Sequence, residues 1–254
     1  MINNDDPDWE YKYQNRIGKP FGSYGSVQPF GLKALGLFAS QEEIDNSPKQ
    51  TYGEYRVGDI RYQDINGDGV IDSQDEVALG YTNMPEIVYG FGATAQWKNW
   101  DFNVFFQGVA HTSFFLAGAS LRSPFSSGSM ERSAVNEDIY GNVWMSTNTP
   151  EQNDRAIYPR LSLSNQAGSS NNNQTSDWWL RDGSFLRLKN FEIGYTLPKK
   201  LLGKNFIRSL RFYVAANNLL TFCNFKLWDP EKGSSDGSGY PLNRVVTLGF
   251  NINL

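Results

Sequence analysis

Residues 86–110 read E-I-V-Y-G-F-G-A-T-A-Q-W-K-N-W-D-F-N-V-F-F-Q-G-V-A. In an extended chain, successive side chains point to opposite faces. Ile87, Tyr89, Phe91, Ala93, Ala95 and Trp97 then share one face of a first strand, and Trp100, Phe102, Val104, Phe106, Gly108 and Ala110 share one face of a second. A two-residue turn at Lys98-Asn99 sets Trp97 opposite Trp100, and the rest of the register follows without freedom. Ala95 meets Phe102, Ala93 meets Val104, and Phe91 meets Phe106. The opposite face pairs Gln96 with Asp101, Thr94 with Asn103, and Gly90 with Gln107. One register sorts nearly every pair into apolar or polar, so a long, two-faced hairpin is expected.

Further strands are expected downstream, over 184–197, 208–217 and 243–254, besides 86–97 and 100–110. Leu210, Phe212, Val214 and Ala216 alternate with polar neighbours, as do Val246, Leu248, Phe250, Ile252 and Leu254. In 184–197 the parity changes: Leu186 and Leu188 precede Phe191, Ile193, Tyr195 and Leu197. A bulge near Lys189-Asn190 reconciles the two sets. These strands, about 10 to 14 residues, exceed the usual 5–6 and are long enough to cross a bilayer when tilted. Links at 98–99 and 198–207 are short; those at 111–183 and 218–242 are long and polar. Short turns on one rim and long loops on the other are the arrangement of an outer-membrane barrel. Trp97, Trp100 and Tyr195 gather at the short-turn rim, where an aromatic girdle is expected.

Composition agrees. The chain has 254 residues with 7 Trp, 13 Tyr and 17 Phe, so 15% are aromatic, while its mean hydropathy is negative. A barrel with aromatic girdles and a polar interior needs that combination. The formal charge of −4 is mixed along the chain and offers no nucleic-acid footprint. Cys223 and His111 are the lone members of their kinds. That excludes an internal disulfide or a thiolate metal cluster, and no nucleophile motif accompanies the histidine. No apolar run approaches the roughly 18 residues of a membrane helix, and residues 1–10 are too polar for a signal peptide. Barrel strands produce no such run in any case.

Residues 1–85, rich in Gly, Pro, Asp and Asn, are expected to form a loop-and-strand region. Within them, 64–75 reads D-I-N-G-D-G-V-I-D-S-Q-D. Asp64, Asn66, Asp68, the Val70 carbonyl, Asp72 and Asp75 stand at the six ligand positions of an EF-hand-like loop, with Gly69 at its sharp turn. Alternating oxygens wrap a hard cation, so a structural Ca2+ is expected. Asp75 is shorter than the usual glutamate, and residues 58–62 before the loop read as a strand. A brace is expected rather than a sensor.

Together the pieces resemble the SusC/RagA family of TonB-dependent outer-membrane transporters. The resemblance is carried by V-G-D-I-R-Y-Q-D-I-N-G-D-G-V-I-D (57–72), S-F-L-R-L-K-N-F-E-I-G-Y-T-L-P (184–198), A-A-N-N-L-L-T-F (215–222) leading to Trp228-Asp229-Pro230-Glu231, and Tyr240-Pro241. Gly18-Lys19-Pro20, Gly36-Leu37-Phe38 and the terminal T-L-G-F-N-I-N-L (247–254) add to it, although Leu254 stands where a terminal aromatic is usual. The resemblance implies an all-β chain contributing the C-terminal strands of a large antiparallel transmembrane β-barrel, incomplete by itself. It also implies import of oligosaccharides or peptides across the outer membrane of a Gram-negative, Bacteroidetes-like cell. The implied partners are a SusD-like surface lipoprotein lid, the remainder of the barrel and plug, and the TonB complex. Residues 111–183 and 218–242 would be extracellular, with Trp144, Trp178, Trp179 and Trp228 as candidates for stacking on substrate. Two other readings compete: a secreted, calcium-braced glycan-binding or adhesion β-domain, and a glycan-processing enzyme using carboxylates such as Asp177 and Asp182. No enzyme activity is expected on the first reading.

Overall fold

The computed structural model describes residues 11–16, 18–19, 28–116, 137–162, 170–202, 206–233, 237, 239–240 and 242–254. Pro20 and Pro241, which carry part of the resemblance, lie outside them. The chain divides into two compact units, one of residues 1–84, 113–181 and 234–238, the other of residues 85–112, 182–233 and 239–254.

The second unit is a five-stranded antiparallel meander. Its strands are β1 (Ile87–Trp97), β2 (Trp100–Ala110), β3 (Phe185–Thr196), β4 (Ser209–Cys223) and β5 (Val245–Asn253). β1 pairs with β2 from Ile87↔Ala110 to Trp97↔Trp100, the register that sorts apolar from polar. Lys98 takes the left-handed backbone (φ 56°) that the first position of a tight hairpin turn requires. Its ammonium stands 4.6 Å from the Trp97 ring centroid. On β3 the ladder slips between Leu188 and Asn190 against both neighbours. One extra residue there returns Leu186, Leu188, Phe191 and Ile193 to a single face.

Two boundaries differ from expectation. The strand expected over 208–217 continues to Cys223, because Leu220 and Phe222 pair with Leu188 and Leu186. The loop expected at 218–242 therefore begins after Cys223. Asn218 adopts φ 54° inside the strand, and the adjacent Leu219-Leu220 breaks the alternation that pattern reading follows. The last ladder covers Val245–Asn253 rather than 243–254. The link at 198–207 contains a one-turn helix, Lys199–Leu202.

Among the described residues, the large side chains at the edges of this sheet's apolar face are exposed. Phe91 is 54% exposed, Trp97 67%, Leu248 79% and Phe250 63%. A water-soluble sheet buries such a face, since each large apolar side chain gains about 1.5–3 kcal/mol from burial. Every residue of β1 is exposed, and β1 and β5 are the two edges of the sheet. Among the described residues the sheet is open at both edges and forms no closed barrel.

The polar face is organised by long side chains lying over glycines. Arg211 on β4 crosses Gly194 on β3, where a Cβ would overlap its guanidinium. It reaches Asp101 on β2 (Nε to Oδ1, 2.9 Å) and Glu192 on β3 (2.5 Å). Tyr213 lies over Gly249 in the same manner, and on the apolar face Tyr89 lies over Gly108.

The first unit has its own core: Leu32, Phe38, Ile60, Ile71, Leu116, Ile139 and Trp179 are all at most 1% exposed. Leu116, Ile139 and Trp179, three of those seven, come from the stretch 111–183 expected as a long loop. The unit's regular elements are short, such as Gln41–Asp45, Ile60–Tyr62 and Pro150–Asp154. Side-chain amides do the stitching. Asn171 and Asn172 are buried. Gln50 bonds Asn171 at 2.7 Å, Asn172 accepts from the Ile60 amide at 2.9 Å, and Asn172 donates to Asp59 at 2.9 Å.

Candidate functional site

The loop at 64–75 has the backbone its spacing demands. Gly67 and Gly69 lie at φ 78° and 84°, a region that side chains rarely tolerate. Its carboxylates, however, are spent on the loop's own amides. Asp64 accepts from Gly67 (2.6 Å) and Gly69 (2.8 Å), and Asp68 from Val70 (2.8 Å). Asp72 accepts from Gln74 (2.7 Å). Asp75 is 0% exposed and accepts from Ile65 (2.7 Å), Asn66 (3.4 Å) and Asp72 (2.9 Å). Among the described residues no three Asp, Glu, His or Cys side chains converge as a metal group. Asp75 is the internal anchor of the loop, and in this arrangement Asp64, Asp68, Asp72 and Asp75 do not face a common centre. The motif identified the turn; it could not show where each carboxylate would spend its lone pairs.

The four tryptophans fall into different environments. Trp179 is fully buried and donates its indole N–H to the Asn172 carbonyl at 2.7 Å. A ring with no exposed face cannot stack on a ligand, so Trp179 is a core residue. Trp228 packs edge-on against Phe225, with centroids 4.8 Å apart. Trp144 and Trp178 are half-buried and line one cleft of about 460 Å³ with Phe38, Pro150 and Asp154. Trp144 also borders a neighbouring cleft of about 690 Å³ beside Gln41, Arg56, Thr147 and Arg160. Its ring is wedged on Gly58 (φ 88°), where any Cβ would overlap it. Of the four candidates, the structure thus brings two together at one opening.

The carboxylates of the enzyme reading are otherwise engaged. Asp177 accepts from the Ala34 amide (2.7 Å) and Asp182 from the Ser184 amide (2.8 Å). His111 contacts Glu86 at 3.1 Å.

Pattern reading passed over the charged residues of the meander. Besides the Arg211 group, Arg187 is only 2% exposed and contacts Asp229 at 2.5 Å. By alternation alone Arg187 is an ordinary polar-face position. The Asp-Pro-Glu turn that meets it lies 42 residues away, beyond the reach of strand periodicity.

An open meander with an apolar face left bare defines a partial all-β wall of the barrel kind. No family model matches the chain. TonB-dependent receptor P26 of Formosa agariphila is 33% identical over 236 residues, 87% of this chain and 22% of that protein. TonB-dependent receptor SusC of Bacteroides thetaiotaomicron is 22% identical over 255 residues, 99% of this chain and 22% of that protein. A solved structure of the RagAB peptide transporter superposes with a TM-score of 0.60 at 22% identity, over 89% of this chain and 23% of the matched one. At that identity the likeness shows a shared fold. The chain is similar over most of its length to TonB-dependent receptors, SusC among them, and spans about a fifth of the length of the relatives it matches.

Proposed function

We propose that the chain forms part of the wall and mouth of an outer-membrane transporter that imports oligosaccharides or peptides. The single observation that carries this reading is the exposed apolar face of the meander, backed by a charged and hydrogen-bonding face. Lipid on one side and a water-filled passage on the other satisfy both. The two unpaired edges call for further strands, since an open sheet edge is untenable in hydrocarbon. A secreted β-domain would have to leave the same apolar face in water, and this disfavours it.

On this reading a SusD-like lipoprotein closes over the mouth, the remaining barrel and plug complete the wall, and the TonB complex supplies energy. Support comes from the similarity to TonB-dependent receptors, SusC among them. Trp144 and Trp178, sharing one cleft, are the proposed substrate contacts, because sugar rings present apolar C–H faces to aromatic rings. The test is uptake by cells producing the intact receptor. Trp144→Ala is expected to lower uptake of a labelled oligosaccharide while leaving surface abundance unchanged. Equal uptake by receptor-less cells would contradict the transport role.

The 64–75 loop is proposed as a cation brace in which Asp64, Asn66, Asp68, Asp72, Asp75 and the Val70 carbonyl would hold the ion once the carboxylates turn from the loop's amides toward it. Its spacing and the two left-handed glycines support the proposal. Thermal unfolding is expected to shift upward with millimolar Ca2+ and to return on chelation, with Asp64→Ala abolishing the shift. No shift in the unaltered protein would leave the loop braced by its own hydrogen bonds.

A further inference from the structure

Arg187 on β3 belongs to the polar face, opposite Gln107 on β2 and Thr221 on β4. A guanidinium on the water side of a sheet has every reason to remain hydrated, yet this one is 2% exposed. The Phe185 ring lies 5.4 Å from its Cζ, and its charged partners come from the segment following β4. Asp229 meets Nη2 at 2.5 Å and Glu231 meets Nε at 3.3 Å, while Glu231 also reaches Lys189 at 3.4 Å. The two carboxylates come from one rigid turn. Asp229 caps the single-turn helix Pro230–Lys232 by accepting from the Glu231 amide at 3.0 Å, and Gly233 ends it at φ 55°. The segment is seated at its other end by Phe225, 6% exposed, and Pro230 is buried as well.

Arg187 lies two residues in from the end of β3, where Phe185 pairs with Cys223. The segment must therefore leave β4 and fold back over the polar face to reach it. We propose that residues 224–233 are a strap, latched closed over the polar face by Arg187 through Asp229 and Glu231. A dehydrated arginine is stable only while its partners stay in place; Arg187 hydrogen-bonds Asp229 through Nη2, and Glu231 stands within ion-pair distance of Nε without a hydrogen bond to it. The strap is held by a charge contact that a structural change at its turn would release as a unit. Calling the covered side the passage rests on the transporter reading; the latch itself does not.

The chain carries its own reporter at the hinge. Cys223 is the last residue of β4, and its thiol donates to the Phe225 carbonyl at 2.9 Å. Cys223 is half-buried, and maleimide labelling in the detergent-solubilised protein sets its baseline rate. The double variant Asp229→Asn/Glu231→Gln is expected to label at least about tenfold faster as the opened population rises. Amide exchange in β2 and β3 is expected to stay at its unaltered rate, which separates strap release from global unfolding. An unchanged labelling rate in a folded double variant overturns the latch and leaves Phe225 and Pro230 as the anchors. Should that variant fail to fold, Arg187→Lys keeps the charge but loses the fork. It is expected to label at an intermediate rate, and labelling at the unaltered rate overturns the proposal equally. Failure of the apolar face to meet lipid would sink the transporter reading while leaving the labelling result intact.

Discussion

Gly58 shows how much one residue decides. It holds φ 88° and gives its missing side chain's space to the Trp144 ring. Gly58→Ala pays twice, through backbone strain and through displacement of the indole, and is expected to cost about 2 kcal/mol or more. Denaturant unfolding measures that loss, and a shift in tryptophan emission reports the moved ring. Glu76 makes the opposite case. Burial raises its carboxyl pKa above the ordinary value, with Arg16 only partly offsetting it. A carboxyl with a raised folded pKa destabilises the fold once ionised, and the penalty fades as pH falls through the folded pKa toward the unfolded one. Glu76→Gln is therefore expected to raise the unfolding midpoint at neutral pH. The gain should vanish below the unfolded carboxyl range, near pH 4. A gain that is constant with pH would assign the effect to something other than ionisation.

The strands show what alternation can and cannot reveal. The β1–β2 hairpin was readable because Trp97–Trp100 and the pairs above it admit a single register. The bulge on β3 was readable because Leu188 and Phe191 fall on opposite parities. The continuation of β4 was not, since Asn218 at φ 54° and two successive leucines disguise it. Deleting Lys189 is a direct test of the bulge. Without the extra residue, Leu188 and Phe191 stand two positions apart, so Leu186, Leu188, Phe191 and Ile193 keep one face in a regular strand that needs no bulge. The deletion variant is therefore expected to keep assembling into lipid, read as normal heat-modifiable migration in gels. Loss of that migration would show that Lys189 does more than fill the bulge.

At the level of the whole chain, the two-faced sheet was legible while the first unit was not. Its core is drawn from distant segments, with Leu32, Ile60, Leu116 and Trp179 buried together with amide-to-backbone links, and no period in the sequence marks it. The same distance hid the Arg187–Asp229 pair and the burial of Trp179. The central physical claim is that the bare apolar face of the meander meets hydrocarbon while the opposite face meets water. The most direct measurement places spin labels singly along β5, from Val246 to Asn253, in the protein reconstituted into lipid bilayers. Oxygen accessibility is predicted to peak at 246, 248, 250 and 252, and accessibility to a water-soluble nickel complex at 247, 249, 251 and 253. High nickel accessibility at Leu248 and Phe250, or no two-residue period, would contradict the account.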